Sequence, residues 1–287
     1  MNTASLETFA KQIRTEIVHA IAKKGGGHIG GSLSIADLVA VLYGSALRYR
    51  PEEPLWDGRD YLVCSKGHAG PTLYSALALK GFFPKEWLDS LNVGGTNLPG
   101  HCDRLKVPGI DATTGSLGQG LSVAAGIAHG LKVQGRAAQN VYCIIGDGES
   151  NEGQIWEAAA YAPHYGLSNL IAFLDWNKKQ IDGTNEKVMR SGNLEDKFRS
   201  FGWYSETIQG NNVEQISNAI KRVKSAKADR PAMLILDTVK GAGIPCIEKR
   251  ESNHCIGVPP SLYEQCLREL ESATAKIKEG IMKSEQY

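Results

Sequence analysis

The chain has 287 residues, of which 42% are hydrophobic, and its 32 basic and 31 acidic side chains leave a formal net charge of +1. That is enough apolar material for a sizeable core, and so even a charge balance offers no overall field to draw in nucleic acid or an anionic membrane surface. The N-terminal stretch mixes charged and apolar residues without a long apolar run, which argues against a secretion signal or membrane span and leads us to expect a cytoplasmic protein.

In chain order, "MNTASLETFAKQIRTEIVHAIA" carries apolar residues at helical spacing. A glycine cluster follows at 25–31, and "SIADLVAVLYGSAL" predicts a helix opened by Ser34 and Asp37 in a capping-box-like start. "YLVCS" (61–65), "VYCII" (141–145), "NLIAFLD" (169–175) and "AMLILDTV" (232–239) are short runs without polar alternation, the pattern of strands buried on both faces. A weaker strand is expected at "WYSETIQ" (203–209), and a helix capped by Asn212 after it. The tail 261–287, with Glu264, Arg268 and Glu271, predicts a surface helix. Strands alternate with helices, so the expected fold is a single α/β domain over 1–287, with a mostly parallel sheet between helical layers. The six cysteines, at 64, 102, 143, 246, 255 and 266, form no Cys-x-x-Cys pair and most are expected to be reduced packing residues.

Further glycine clusters lie at 94–100, 115–120 and 146–153, and function is expected at such irregular segments. The last, "GDGESNEG", sits between a predicted strand and a helix, where backbone N–H groups and the helix dipole favour an anion. Yet it carries three carboxylates. A divalent cation removes the conflict. Asp147 follows one buried run and Asn177 the next, so parallel neighbouring strands would deliver both side chains to one sheet edge. Magnesium takes a few protein oxygens and completes its octahedron with phosphate and water. A lone Gly-Asp-Gly is more often an ordinary tight turn, and the second ligand is what gives the metal reading its weight.

The run "GDGESNEGQIWEAAAYAPHYGLSNLIAFLDWNKKQIDG" resembles the thiamine-diphosphate signature, and more narrowly that of the transketolase family. "KKGGGHIGGSLSIADL", "SKGHAGPTLYSALALKG", "LPGHCDR" and "TTGSLGQGLSVAAGIAHGLK" are similar to four further segments of that family, in the family's order. The resemblance runs from about residue 10 to 260.

The resemblance implies a three-layer α/β/α domain that binds thiamine diphosphate through Mg²⁺, with Ca²⁺ or Mn²⁺ able to substitute. Asp147, Asn177 and the backbone carbonyl of Lys179 would be the metal ligands, and Gly115, Ser116, Leu117, Gly148, His68 and His254 would lie along the cofactor. His28, His101 and His254 would line the sugar channel, where imidazoles can exchange protons near neutral pH. Glu152 is expected in a carboxylate network between two cofactor sites, with helix capping as the plainer alternative, and Glu157 in a similar position beside the cofactor. His19, His129 and His164 fall outside the motifs and are expected to be structural. Two departures from the family pattern stand out: Cys102 where a proline commonly follows His101, and Cys255 where a glycine commonly follows His254.

No segment resembles the family's pyrimidine-binding domain, so the resemblance implies a split enzyme. A second chain would carry that domain, two of each would assemble, and the pair would transfer a two-carbon ketol unit between sugars or sugar phosphates, with pentose phosphates as the default. Another thiamine-diphosphate enzyme, of the 2-oxo acid dehydrogenase or deoxyxylulose-phosphate synthase type, and a non-catalytic diphosphate-binding paralogue are the alternatives. A nicotinamide-binding domain is disfavoured, since no Gly-x-Gly-x-x-Gly opens a helix after the first strand.

Overall fold

All five expected strands form, as seen in a computed structural model that describes residues 1–226 and 228–284. They are β1 (Tyr61–Cys64), β2 (Val141–Gly146), β3 (Leu170–Trp176), β4 (Tyr204–Gln209) and β5 (Ala232–Asp237), and they lie in the order β1-β2-β3-β5-β4. Every pairing in this sheet is parallel. Because side chains alternate across a strand, each buried run feeds two cores. Tyr142, Ile144, Ile171, Phe173, Leu234 and Leu236 enter one, while Val141, Cys143, Ile145, Leu170, Ala172 and Leu174 enter the other.

The first core is covered by α1 (Thr3–Lys24), α2 (Ala36–Val41), α3 (Gly70–Leu79), α7 (Val213–Ser225) and α8 (Pro260–Ser284), the second by α4 (Gln119–Val133), α5 (Gly153–His164) and α6 (Leu194–Ser200). The result is the expected three-layer arrangement. β4 is an edge strand in which only Ser205 and Ile208 are buried, which is why its sequence signal is weaker. Asn212 caps α7 as read from the sequence, its Oδ1 accepting from the Gln215 N–H at 2.9 Å. In α8 Leu262, Cys266 and Leu270 are buried at a spacing of one helical turn, and the expected helix extends to residues 285–287, which lie outside the described residues. All six cysteines are free, and Cys64, Cys102, Cys143 and Cys266 are buried.

The capping box at Ser34 does not form. The helix starts two residues later, at Ala36, after a short helical turn at Ile29–Leu33 that already carries the chain through Ser34. The Ser34 hydroxyl instead donates to Asp175 Oδ2 at 2.7 Å, and Asp37 forms a buried ion pair with Arg14. Both polar groups found buried partners across the fold that outweigh a local cap.

Two loops that carry expected site residues are bound together. Gly26–Gly27 and Ile256–Gly257 form an antiparallel ribbon, and the Gly30 N–H donates to the Asn253 carbonyl at 3.0 Å. A Cβ on Gly30 would fall 2.3 Å from that carbonyl oxygen, so only glycine permits the approach. The loop of His28 is thereby fixed against the loop of His254.

Candidate functional site at the carboxyl edge of the sheet

β2 and β3 end side by side, with Gly146 paired to Asp175, so the chain leaves both strands at the same edge and places Asp147 next to Asn177. This is where open parallel sheets bind ligands. Asp147 is buried, and its carboxylate accepts from the N–H groups of Gly148 (2.8 Å) and Lys178 (2.6 Å) and from Asn185 Nδ2 (2.8 Å). Lys178 reaches it by adopting a left-handed conformation, φ 66°, uncommon for a residue with a side chain. Burial, and secondarily the charge of Asp175, push the Asp147 carboxyl up to about 6 against the pull of these hydrogen bonds.

Asn177 donates through Nδ2 to Asp175 Oδ2 at 2.7 Å, which leaves Oδ1 as its other end, accepting among the described residues from the Lys179 N–H at 3.2 Å. The Lys179 carbonyl accepts from Lys240 Nζ at 2.9 Å. One carboxylate, one amide oxygen and one carbonyl thus gather at neighbouring positions, all hard oxygen donors.

Four histidines from four separate segments close the other side. The ring of His28 lies 5.4 Å from His68, 5.5 Å from His101 and 5.2 Å from His254, and His68 lies 4.8 Å from His254. Burial is the main reason His68 falls to about 2 and His254 to about 3, reinforced by Lys66 at the first and Lys240 at the second. His28 is lowered by burial and then by His101 and Lys240. These three imidazoles are therefore neutral at physiological pH, each able to donate at one nitrogen and accept at the other.

The histidines and the oxygen donors share one cavity of about 360 Å³. Gly115, Leu117, Gly148 and Glu152 also line it. A Cβ on Gly115 would sit 3.1 Å from the His101 ring, so the glycine keeps the backbone against that imidazole. Ser116 is exposed beside this wall rather than part of it. Glu157 is not brought to the cavity: it lies exposed on the outward side of α5. Glu152 precedes that helix without capping it through its side chain, and it too is exposed. His19 is bound to Asp89 at 2.6 Å and His129 to Tyr161 at 2.5 Å, both away from this cavity, as expected of structural residues. A larger cleft, about 720 Å³, opens at the amino ends of the strands around Asn140, Tyr204 and Arg222. It has none of the histidines or oxygen donors, so the carboxyl edge is the candidate site.

Lys66, Asp175 and Lys240 join this site although the sequence assigns them no role: Lys66 and Asp175 lie inside matched motifs whose expected site residues are others, and Lys240 lies outside every motif. Lys66 is buried and donates to Asp175 Oδ2 at 2.6 Å and to the Gly31 carbonyl at 2.7 Å. Asp175 also accepts from Thr238 Oγ1 at 2.5 Å and from Ser34 Oγ at 2.7 Å. Burial alone would raise its carboxyl, but Lys66 and these hydroxyls outweigh it and hold the group below the usual carboxylate range. Lys240 also lies 3.2 Å from His254 Nδ1, and burial brings its ammonium down to about 8 against the attraction of Asp147. Their one sequence signal is position: Lys66 stands two residues before His68, and Lys240 follows a strand.

The fold and cavity define an α/β domain whose candidate site lies where parallel strands end. Residues 5–270 match the family model described as transketolase, thiamine diphosphate binding domain. The chain belongs to that family. It is 46% identical over 270 residues to the 6-deoxy-6-sulfo-D-fructose transketolase subunit SqwG of Clostridium sp. (strain MSTE9), covering 94% of this chain and 98% of the relative. It is 37% identical over 279 residues to an apulose-4-phosphate transketolase subunit of Phocaeicola vulgatus, covering 97% of this chain and 98% of the relative. Against the Homo sapiens transketolase it is 35% identical across 93% of this chain but only 42% of the relative. Among solved structures, transketolase from Campylobacter jejuni superposes with a TM-score of 0.87 at 30% identity, over 94% of this chain and 43% of that one. The chain therefore spans nearly all of relatives named as subunits and about two fifths of full-length transketolases.

Proposed function

We propose that this chain is the diphosphate-binding subunit of a two-chain transketolase, which moves a two-carbon ketol unit from a ketose to an aldose. The reading rests on one convergence above all: hard oxygen donors from Asp147, Asn177 and Lys179 share a cavity with His28, His68, His101 and His254. Its coverage of subunit-named relatives supports the split arrangement, in which a second chain supplies the pyrimidine-binding domain and two of each assemble.

The residues suit the cofactor. Three protein oxygens are too few for an octahedral Mg²⁺, so diphosphate oxygens and water would complete the sphere. Lys66 and Lys240 face the same cavity with positive charge, and Gly115 and Gly148 line it with backbone, packed against His101 and Gln180. When bound, thiamine diphosphate would supply the carbanion chemistry that two-carbon transfer needs. His28, His101 and His254 would pass protons to and from the sugar oxygens, in the neutral form that burial imposes on His28 and His254. Glu152 would find a carboxylate neighbour across a subunit interface.

The donor is a ketose with an anionic terminal group. A sulfonated ketose ranks first, since the relative named for 6-deoxy-6-sulfo-D-fructose has the higher identity, and a phosphorylated one second. The test is to purify the chain with its co-purifying partner and measure ketol transfer from 6-deoxy-6-sulfo-D-fructose, apulose 4-phosphate and fructose 6-phosphate. Transfer that appears only when both chains are present is expected. Full transfer by the isolated chain would reject the split arrangement, and carbon dioxide release from pyruvate without ketol transfer would reject the reaction class.

A further inference from the structure

Lys240 stands between the loop of Lys179 and the loop of His254. Its ammonium is buried, and it donates at 2.9 Å to the Lys179 carbonyl, one of the three oxygens that the proposed function assigns to the metal. Among the described residues its other polar contact is His254 Nδ1, at 3.2 Å. Neither contact is a carboxylate; Asp147 and Asp175 attract the ammonium from further away. A cation thus already occupies one metal ligand and lies in the field of the Asp147 carboxylate.

Resting on the transketolase reading, we infer that Lys240 is a surrogate cation, holding the metal loop while the site lacks a metal and opposing a divalent ion that arrives without its phosphate. Two like charges a few ångströms apart in a partly dehydrated site repel strongly. A diphosphate gives the ammonium an anion to turn to, freeing the Lys179 carbonyl as the metal arrives. The metal and the diphosphate then favour one another through the lysine as well as through direct contact, and this coupling is reciprocal.

The full chain is titrated calorimetrically with Mn²⁺ alone, with inorganic pyrophosphate alone, and with Mn²⁺ in saturating pyrophosphate. In Lys240→Met, Mn²⁺ alone should bind about tenfold more tightly or better, because a like charge has gone, while pyrophosphate alone binds more weakly. The gain in Mn²⁺ affinity caused by pyrophosphate should shrink accordingly. Lys240→Arg keeps the charge and should leave Mn²⁺ alone as weak as in the natural chain, which separates charge from a packing change. Lys240→Gln serves in place of the methionine variant if thermal unfolding shows the latter misfolded. Unchanged or weaker binding of Mn²⁺ alone in the neutral variants would overturn the inference and leave Lys240 as a phosphate contact only. If the natural chain takes up no Mn²⁺ even with pyrophosphate, the metal reading of the site fails, and this inference with it.

Discussion

Lys66 Nζ and Asp175 Oδ2 lie 2.6 Å apart, with both side chains almost sealed from water, at the junction of three strand ends. Through this pair β1 is tied to β3, and the lysine reaches on to the Gly31 carbonyl in the short helical turn after His28. Asp175 in turn orients the Asn177 amide. The pair therefore connects the expected metal ligand to the histidine loop, and its loss should be felt as stability before it is felt as chemistry.

Removing one member of a buried pair strands the other. Lys66→Met should destabilise the chain by about 3–5 kcal/mol, the usual consequence of an uncompensated buried charge. Urea unfolding of the two chains compares them directly. A loss within about 0.5 kcal/mol, the range of ordinary surface substitutions, would mean that Asp175 is not ionised in the folded state.

This hub is hidden in the sequence for a physical reason. Lys66, Ser34, Asp175 and Thr238 come from segments that meet only once the sheet has formed, and no local period or spacing announces such a meeting. Ser34 shows the cost of local reasoning: its spacing to Asp37 matches a capping box, but each found a stronger buried partner. What is legible comes from features that act locally. Apolar runs mark β1, β2, β3 and β5, and the strand-end positions of Asp147 and Asn177 follow once the strands are taken as parallel neighbours. The histidines are legible through family resemblance and not through chemistry, since nothing local says that the rings of His68, His101 and His254 will each come within 5.5 Å of that of His28.

Acid should weaken the fold through His68. Its folded-state value, about 2, lies far below the unfolded value near 6.5, so the unfolded chain binds a proton that the folded chain refuses. Its contribution to stability is complete above pH 6.5 and is lost as pH falls below it, at up to about 1.4 kcal/mol per pH unit. His254 acts in the same direction. Stability measured by urea unfolding between about pH 5 and pH 7.5, a window that brackets the ordinary histidine value, should fall less steeply in His68→Gln than in the natural chain. Parallel curves would show that His68 is accessible to protons in the folded state.

Metal uptake should have its own pH dependence, set by Asp147. In the metal-free site this carboxyl lies at about 6, and a metal needs it ionised. Binding of Mn²⁺ with pyrophosphate should therefore weaken as pH falls through 6 and release a proton when performed below it. Calorimetry in two buffers of different ionisation enthalpy counts that proton. Asp147→Asn should bind the metal far more weakly and without the pH step, and an unaltered step would assign it to another group.

His101 offers the cleanest separation of chemistry from binding. It is the exposed member of the histidine group, it touches the glycine wall at Gly115, and its backbone is held independently by Tyr74, whose hydroxyl donates to the His101 carbonyl at 2.8 Å. Truncating the ring leaves those backbone contacts in place. In the assembled enzyme, His101→Ala should lower kcat by about 10²–10⁴-fold, the usual contribution of a positioned acid or base, while the dissociation constant for thiamine diphosphate stays nearly unchanged. Steady-state transfer assays with a ketose donor give the first quantity and fluorescence titration with the cofactor gives the second. If both change together, His101 holds the cofactor rather than the sugar, and if neither does, the proton work falls to His28 and His254.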